Sequence, residues 1–200
     1  MFETKINFKP NLMLGVIVIS FLIRLIAAYF FRDSSFDNAN TEWTFLVYNL
    51  VNFKSYAIYN FDNVLVPSVF MPPGYPLLLY IINIFSSNDT VFLNLIMLFQ
   101  IIIGTYSIHI FYKINLNLFS HKLSLINSFI FAIFPLNVYM VSQLSSITLT
   151  VFLSLIFLDL LFTTIKKSKL KNIIFLSIIS GLLIITRGEF ILIFAFIIFL

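Results

Sequence analysis

The 200-residue chain contains no cysteine, which excludes disulfides, thiolate metal sites and cysteine nucleophiles and leaves the redox compartment unmarked. Charge is nearly as scarce. Asp, Glu, Lys and Arg make up 10% of the residues, against about 25% in soluble domains. Glycine and proline number only 5 and 6, and there is no GxxxG pair, no phosphate-binding loop and no internal repeat. What fills the chain is apolar, with 60% hydrophobic residues and a mean hydropathy of +1.05. So short a chain has too little interior to hide that surface from water. The 26 phenylalanines accompany heavy Ile, Asn and Lys usage, and so reflect compositional bias rather than an aromatic binding surface.

The apolar residues fall in blocks close to the 18–20 residues that span a bilayer. A polar start with Lys5 and Lys9 leads into the run 12–31, broken only by Arg24. It has no small-x-small cleavage site and reads as an uncleaved first transmembrane helix, its N-terminus held in the cytoplasm by the lysines. Further blocks lie at 91–112, 123–141 (with a kink expected at Pro135), 148–165 and 172–186. A last run from 190 stops at Leu200 without polar flanking residues, the pattern of a truncated helix and of an N-terminal fragment. The block 64–85 is different, because Pro67, Pro72, Pro73 and Pro76 interrupt it. Only 75–85 is free to be helical, roughly 17 Å at 1.5 Å per residue. It is a kinked crossing or a re-entrant segment. Re-entry puts the basic loops around Lys113 and Lys122 and around Lys166, Lys167, Lys169 and Lys171 on the cytoplasmic side, as the positive-inside rule prefers; crossing puts both outside. The expected fold is an all-α integral membrane protein of the cell (inner) membrane, one domain over 1–200, with about six hydrophobic segments plus the truncated one.

The stretch 32–63 is polar and net acidic, through Asp33, Asp37, Glu42 and Asp62 against Arg32 and Lys54, which fits a structured outer loop. Within it Trp43, Leu46, Val47, Leu50 and Val51 repeat at helical spacing. Capped by Thr41 or Asn40, this helix would lie in the membrane interface, with Glu42 and Asn49 nearer the water.

Polar residues at membrane depth are the first functional candidates. Arg24 either meets a lipid phosphate or pairs helices. Asp159 fits an ion pair toward Lys166–Lys167 better than a proton relay. Gln100 and Gln143 fit bonds between helices. His109 lacks a second metal ligand, Arg187 and Glu189 flank Gly188 in a short polar break, and Asn88-Asp89-Thr90 matches a glycosylation triplet that is common by chance. In the outer loop, Asp37 and Glu42 sit where a lipid-linked head group would lie. A carboxylate there serves as a general base toward a hydroxyl or as a ligand to a divalent cation, the one candidate cofactor.

Their order along the chain adds to this. Glu42-Trp43, Tyr48-Asn49-Leu50, Ser55-Tyr56 and Pro72-Pro73-Gly74-Tyr75-Pro76, followed by Phe134-Pro135 and Ile185-Thr186-Arg187, resemble the polyprenyl-phosphate-sugar-dependent glycosyltransferases of the GT-C membrane superfamily, which include protein mannosyltransferase-like and aminoarabinose transferase-like proteins. The resemblance implies sugar transfer from a polyprenyl phosphate to an acceptor hydroxyl at the outer face. It implies Asp37 as base, Glu42 as acidic partner or metal ligand, and Arg24, Pro72, Pro73, Tyr75 and Arg187 in substrate binding. Ala39 stands where the family pattern calls for an acidic residue, so Asp37 has to take that place. Met71 stands at a position often basic, and no acid lies near Ser145-Ser146-Ile147. The partners implied are a lipid-linked sugar donor and membrane lipids, with no nucleic acid. The alternatives are a catalytically silent multi-pass protein acting through a membrane-protein partner, and a small transporter, which the missing repeat disfavours.

Overall fold

A computed structural model describes residues 10–31, 41–59, 64–68, 71–192 and 194. Helix accounts for 79% of the described residues, so the fold is all-α. In order come α1 (Pro10–Phe30), α2 (Glu42–Phe53), two short strands β1 (Ala57–Tyr59) and β2 (Leu65–Pro67), α3 (Gly74–Ile84), α4 (Asp89–Asn115), α5 (His121–Ile133), α6 (Pro135–Tyr139), α7 (Ile147–Lys166) and α8 (Leu170–Thr186). The strands, unforeseen in the sequence, pair antiparallel with Ile58 opposite Val66.

Among the described residues, α1, α4 and α7 are long and apolar enough to cross a membrane, and the bent α5–α6 pair makes a fourth. That is fewer than the six expected. The prolines leave α3 only 11 residues and α8 has 17, both short of a full span. The bend between α5 and α6 is 54°. Phe134, forced by the following proline out of helical geometry, has φ −59° and ψ 119°.

Helix α4 is the central post. Its apolar window is 61% buried, against 28% for α1 and 22% for α7, and it packs on α1, α3, α5 and α7. Asn88 starts it by accepting the Val91 N–H at 2.9 Å, with Asp89 in the first turn and Lys113 in the last, each suited to the helix dipole. Apolar side chains such as Leu14, Val18, Leu22 and Leu25 stand exposed along α1, a face that hydrocarbon accepts and water does not.

The side-chain contacts fix which ends lie together. Met13, Ile108, Tyr112 and Ala132 form one cluster, joining the start of α1 to the end of α4. Lys166 Nζ donates to Asn117 Oδ1, and Tyr112 Oη pairs with His121 Nδ1 at 2.7 Å. This basal end therefore carries both lysine-rich loops. Asp159 pairs here with Lys113 at 2.7 Å and not with Lys166 or Lys167, because α7 lies alongside the last turns of α4. At the far end Phe31 meets Tyr139 edge-on, centroids 5.1 Å apart. The chain reaches the far end on α1 and returns from it only on α4. The described residues between them, α3 included, lie in the far half, and the basic loops share an end with the start of α1.

Candidate functional site

Helix α2 forms on the expected stripe. Leu46 and Val47 are 0% and 2% exposed, and Trp43 and Val51 pack on the core beside them. Thr41 starts the helix in extended conformation without a side-chain cap; its carbonyl instead accepts from Thr44 Oγ1 at 2.8 Å. Lys54 ends it in the left-handed region, φ 53°. Glu42 is exposed, as expected. Asn49 is not: it is fully buried, and its Nδ2 donates to the Ala57 carbonyl at 2.7 Å. Lying one turn from Leu46, Asn49 satisfies a strand carbonyl that would otherwise be buried without a partner.

The Pro-Pro-Gly-Tyr-Pro segment meets the rest of the site at α3. Tyr56 Oη donates to the Met71 carbonyl at 2.8 Å, and burial pushes the Tyr56 hydroxyl up to about 12. Pro73 caps α3, and Gly74 follows where nothing larger fits. A Cβ there would lie 2.7 Å from the Ile185 carbonyl oxygen and 2.8 Å from Thr186 Oγ1. Gly74 has no positive φ; it is glycine for space. Tyr75 is 1% exposed, with Trp43 edge-on to it at 5.2 Å and 87°, and its hydroxyl lies beside the backbone of Ser145. Glu42-Trp43, the proline segment, Ser145 and Ile185-Thr186 are distant in sequence and converge on Gly74 and Tyr75.

The candidates divide accordingly. Glu42, Pro72, Pro73, Tyr75 and Arg187 share the far end. Tyr75 is sealed inside and positions its neighbours, Pro73 is exposed and Pro72 half-buried, and Arg187 reaches Glu189 at 3.4 Å on the surface. Asp37 lies outside the described residues. Arg24 sits elsewhere and deeper. Tyr75 packs at the level of Ile96 and Arg24 at that of Gly104, about 12 Å further along α4 at 1.5 Å per residue. Arg24 is 1% exposed, and its guanidinium donates to Ser20 Oγ and to the Ala132 carbonyl, the latter at 3.1 Å. That carbonyl is freed where Phe134-Pro135 break the span, and a cation suits the negative end of α5. This is the helix-pairing role weighed from the sequence.

Beside the convergence point lies a groove of about 490 Å³ between α2, the end of α3 and the start of α4, lined by Phe45, Tyr48, Asn52, Asn83 and Asp89 among others. Asp89 was not anticipated as a site residue; in sequence it is only the acid after a helix cap. No group of three or more His, Cys, Asp or Glu side chains gathers among the described residues, so they offer no ready cation cage. No family model, no curated protein and no solved structure matches the chain.

Proposed function

We propose that this protein is a membrane glycosyltransferase that moves a sugar from a polyprenyl phosphate to an acceptor hydroxyl at the outer face of the cell membrane. The observation that supports this best is the meeting of Trp43, Gly74-Tyr75 and Ile185-Thr186, the segments on which the resemblance rests. With the two lysine-rich loops on the cytoplasmic side, as the positive-inside rule prefers, this meeting point faces outward, where the donor's sugar stands above its buried lipid.

In this reading the acceptor oxygen attacks the anomeric carbon, the bond from that carbon to the lipid phosphate breaks, and a loop carboxylate takes the acceptor's proton. Asp37 is that base by the resemblance, and Glu42, exposed on the site helix, is its acidic partner or a metal ligand. Arg187, at the same end, is better placed than the engaged Arg24 to offset the charge left on the polyprenyl phosphate.

The test is sugar transfer by the purified chain in proteoliposomes supplied with a polyprenyl-phosphate sugar. Wild-type activity lost in Glu42→Gln and Asp37→Asn, both still folded, is the expected result. A well-folded wild-type protein without transfer refutes it and turns attention to a silent protein acting through a partner.

A further inference from the structure

We infer that the groove between α2, the end of α3 and the start of α4 is a binding site for a neutral saccharide unit. The inference deepens the glycosyl-transfer reading and rests on it for the sugar's role, but the groove's own chemistry selects the ligand. Its walls pair two kinds of surface. Tyr48 and Phe45 stand 58% and 47% exposed, and both border the groove. The groove is also lined by Asn83 and Asp89, whose side chains make no hydrogen bond within the described structure, and, one turn on from Tyr48 along α2, by Asn52, whose Nδ2 alone is engaged, on the Tyr48 carbonyl at 3.0 Å. Val47, Phe92 and Leu93 floor the groove.

A carboxylate accepts hydrogen bonds only, whereas an amide both donates and accepts. Together they suit vicinal hydroxyls, which do both. Exposed ring faces suit the C–H faces of a pyranose. Other ligands fit less well. A wholly apolar ligand would desolvate Asp89 and Asn83 without replacing their water. Among the described residues no lysine or arginine lines the groove, so there a phosphate would meet the Asp89 carboxylate with no cation to offset it. A cation would find one carboxylate where hard cations gather several oxygen ligands. The donor's phosphate therefore lies outside the groove, toward Arg187, and the groove takes an uncharged glycosyl unit.

The single tryptophan, Trp43, adjoins the lining residue Thr44 and gives a built-in reporter. The full chain, in nanodiscs free of glycoside detergents, is titrated with methyl glycosides of hexoses and N-acetylhexosamines, and with the matching sugar 1-phosphates. The expected result is a saturable change in Trp43 emission in the millimolar range with at least one methyl glycoside, and weaker binding of its phosphate. Tyr48→Ala and Asp89→Asn, each melting as the wild type does, should weaken binding about tenfold, the loss of one or two contacts. Absence of saturable binding by every glycoside, binding that both variants leave unchanged, or preference for the phosphate overturns the inference. Saccharide binding without transfer in proteoliposomes sinks the glycosyltransferase reading and leaves the groove; transfer undiminished in both variants sinks the groove and leaves the reading.

Discussion

Replacing Gly74 with alanine adds one methyl carbon where the structure has least room. The new carbon would lie 2.7 Å from the Ile185 carbonyl oxygen, 2.9 Å from its carbon and 2.8 Å from Thr186 Oγ1. Comfortable contacts run about 3.5–4.0 Å, so α3 and the end of α8 must part by close to 1 Å. Neither obstacle yields easily: one is backbone, and the Thr186 hydroxyl is tied to the Leu182 carbonyl at 2.6 Å. Overpacking of this kind costs about 1–3 kcal/mol. Gly181, in the same helix α8 and with nothing within 4 Å of its would-be Cβ, is the control. Alanine there gains helix propensity, up to about 1 kcal/mol. The two variants should differ by about 2–4 kcal/mol, which at about 2–4 °C per kcal/mol for a chain of this size separates their melting temperatures by roughly 4–16 °C. Thermal unfolding in one detergent measures it, and Trp43 emission, through its contact with Tyr75, should shift in Gly74→Ala alone. Equal melting temperatures for the two variants would refute the close packing of α3 on α8, and with it the convergence on Tyr75.

The other predictions concern the polar contacts within the bundle and above it. Gln100 donates from Nε2 to the Val141 and Gln143 carbonyls at 3.2 and 2.9 Å, so Gln100→Leu should cost about 1–3 kcal/mol by stranding buried carbonyls, read as a lowered melting temperature. Arg24→Met should destabilise by a similar amount by freeing the Ala132 carbonyl, and Gly104→Ala more mildly, because its Cβ would press Arg24 Nε and Val141 Cγ1 at 3.2 Å each; both are measurable in the same assay. Asp159→Asn should change stability by no more than about 1 kcal/mol, since the Lys113 partner is 57% exposed and such pairs are weak. Tyr56 is held protonated in the fold up to about 12, against an ordinary 10.0. Its contribution is full below pH 10 and is lost as pH rises toward 12, so Tyr56→Phe should flatten that part of the alkaline stability profile relative to wild type.

Much of the local structure was legible because it depends on short-range spacing. The apolar blocks gave α1, α4, α7 and α8 close to their observed bounds, Pro135 marked the bend, and the Trp43–Val51 stripe marked α2. The same reasoning failed where a residue's partner is far away. Asn49 looked like a water-facing residue on a helix edge; β1, not visible in the pattern, supplied the carbonyl that buries it. Asp159 looked toward the lysines nearest in sequence and found Lys113 on another helix. Asp89 became a groove residue only because α2 folds back over the start of α4.

Composition alone determined that this chain favours a membrane, since so few charges leave it no other way to solvate its surface. Period and proline placement determined the helices, because hydrogen bonding within a helix is local. Only the tertiary structure decided that Gly74 seats against Ile185 and Thr186, and that Arg24 serves the break in the α5–α6 span. Those outcomes depend on which helix ends pack together, a choice made by the fit of whole apolar faces and by buried polar groups finding partners, which no short window of sequence contains.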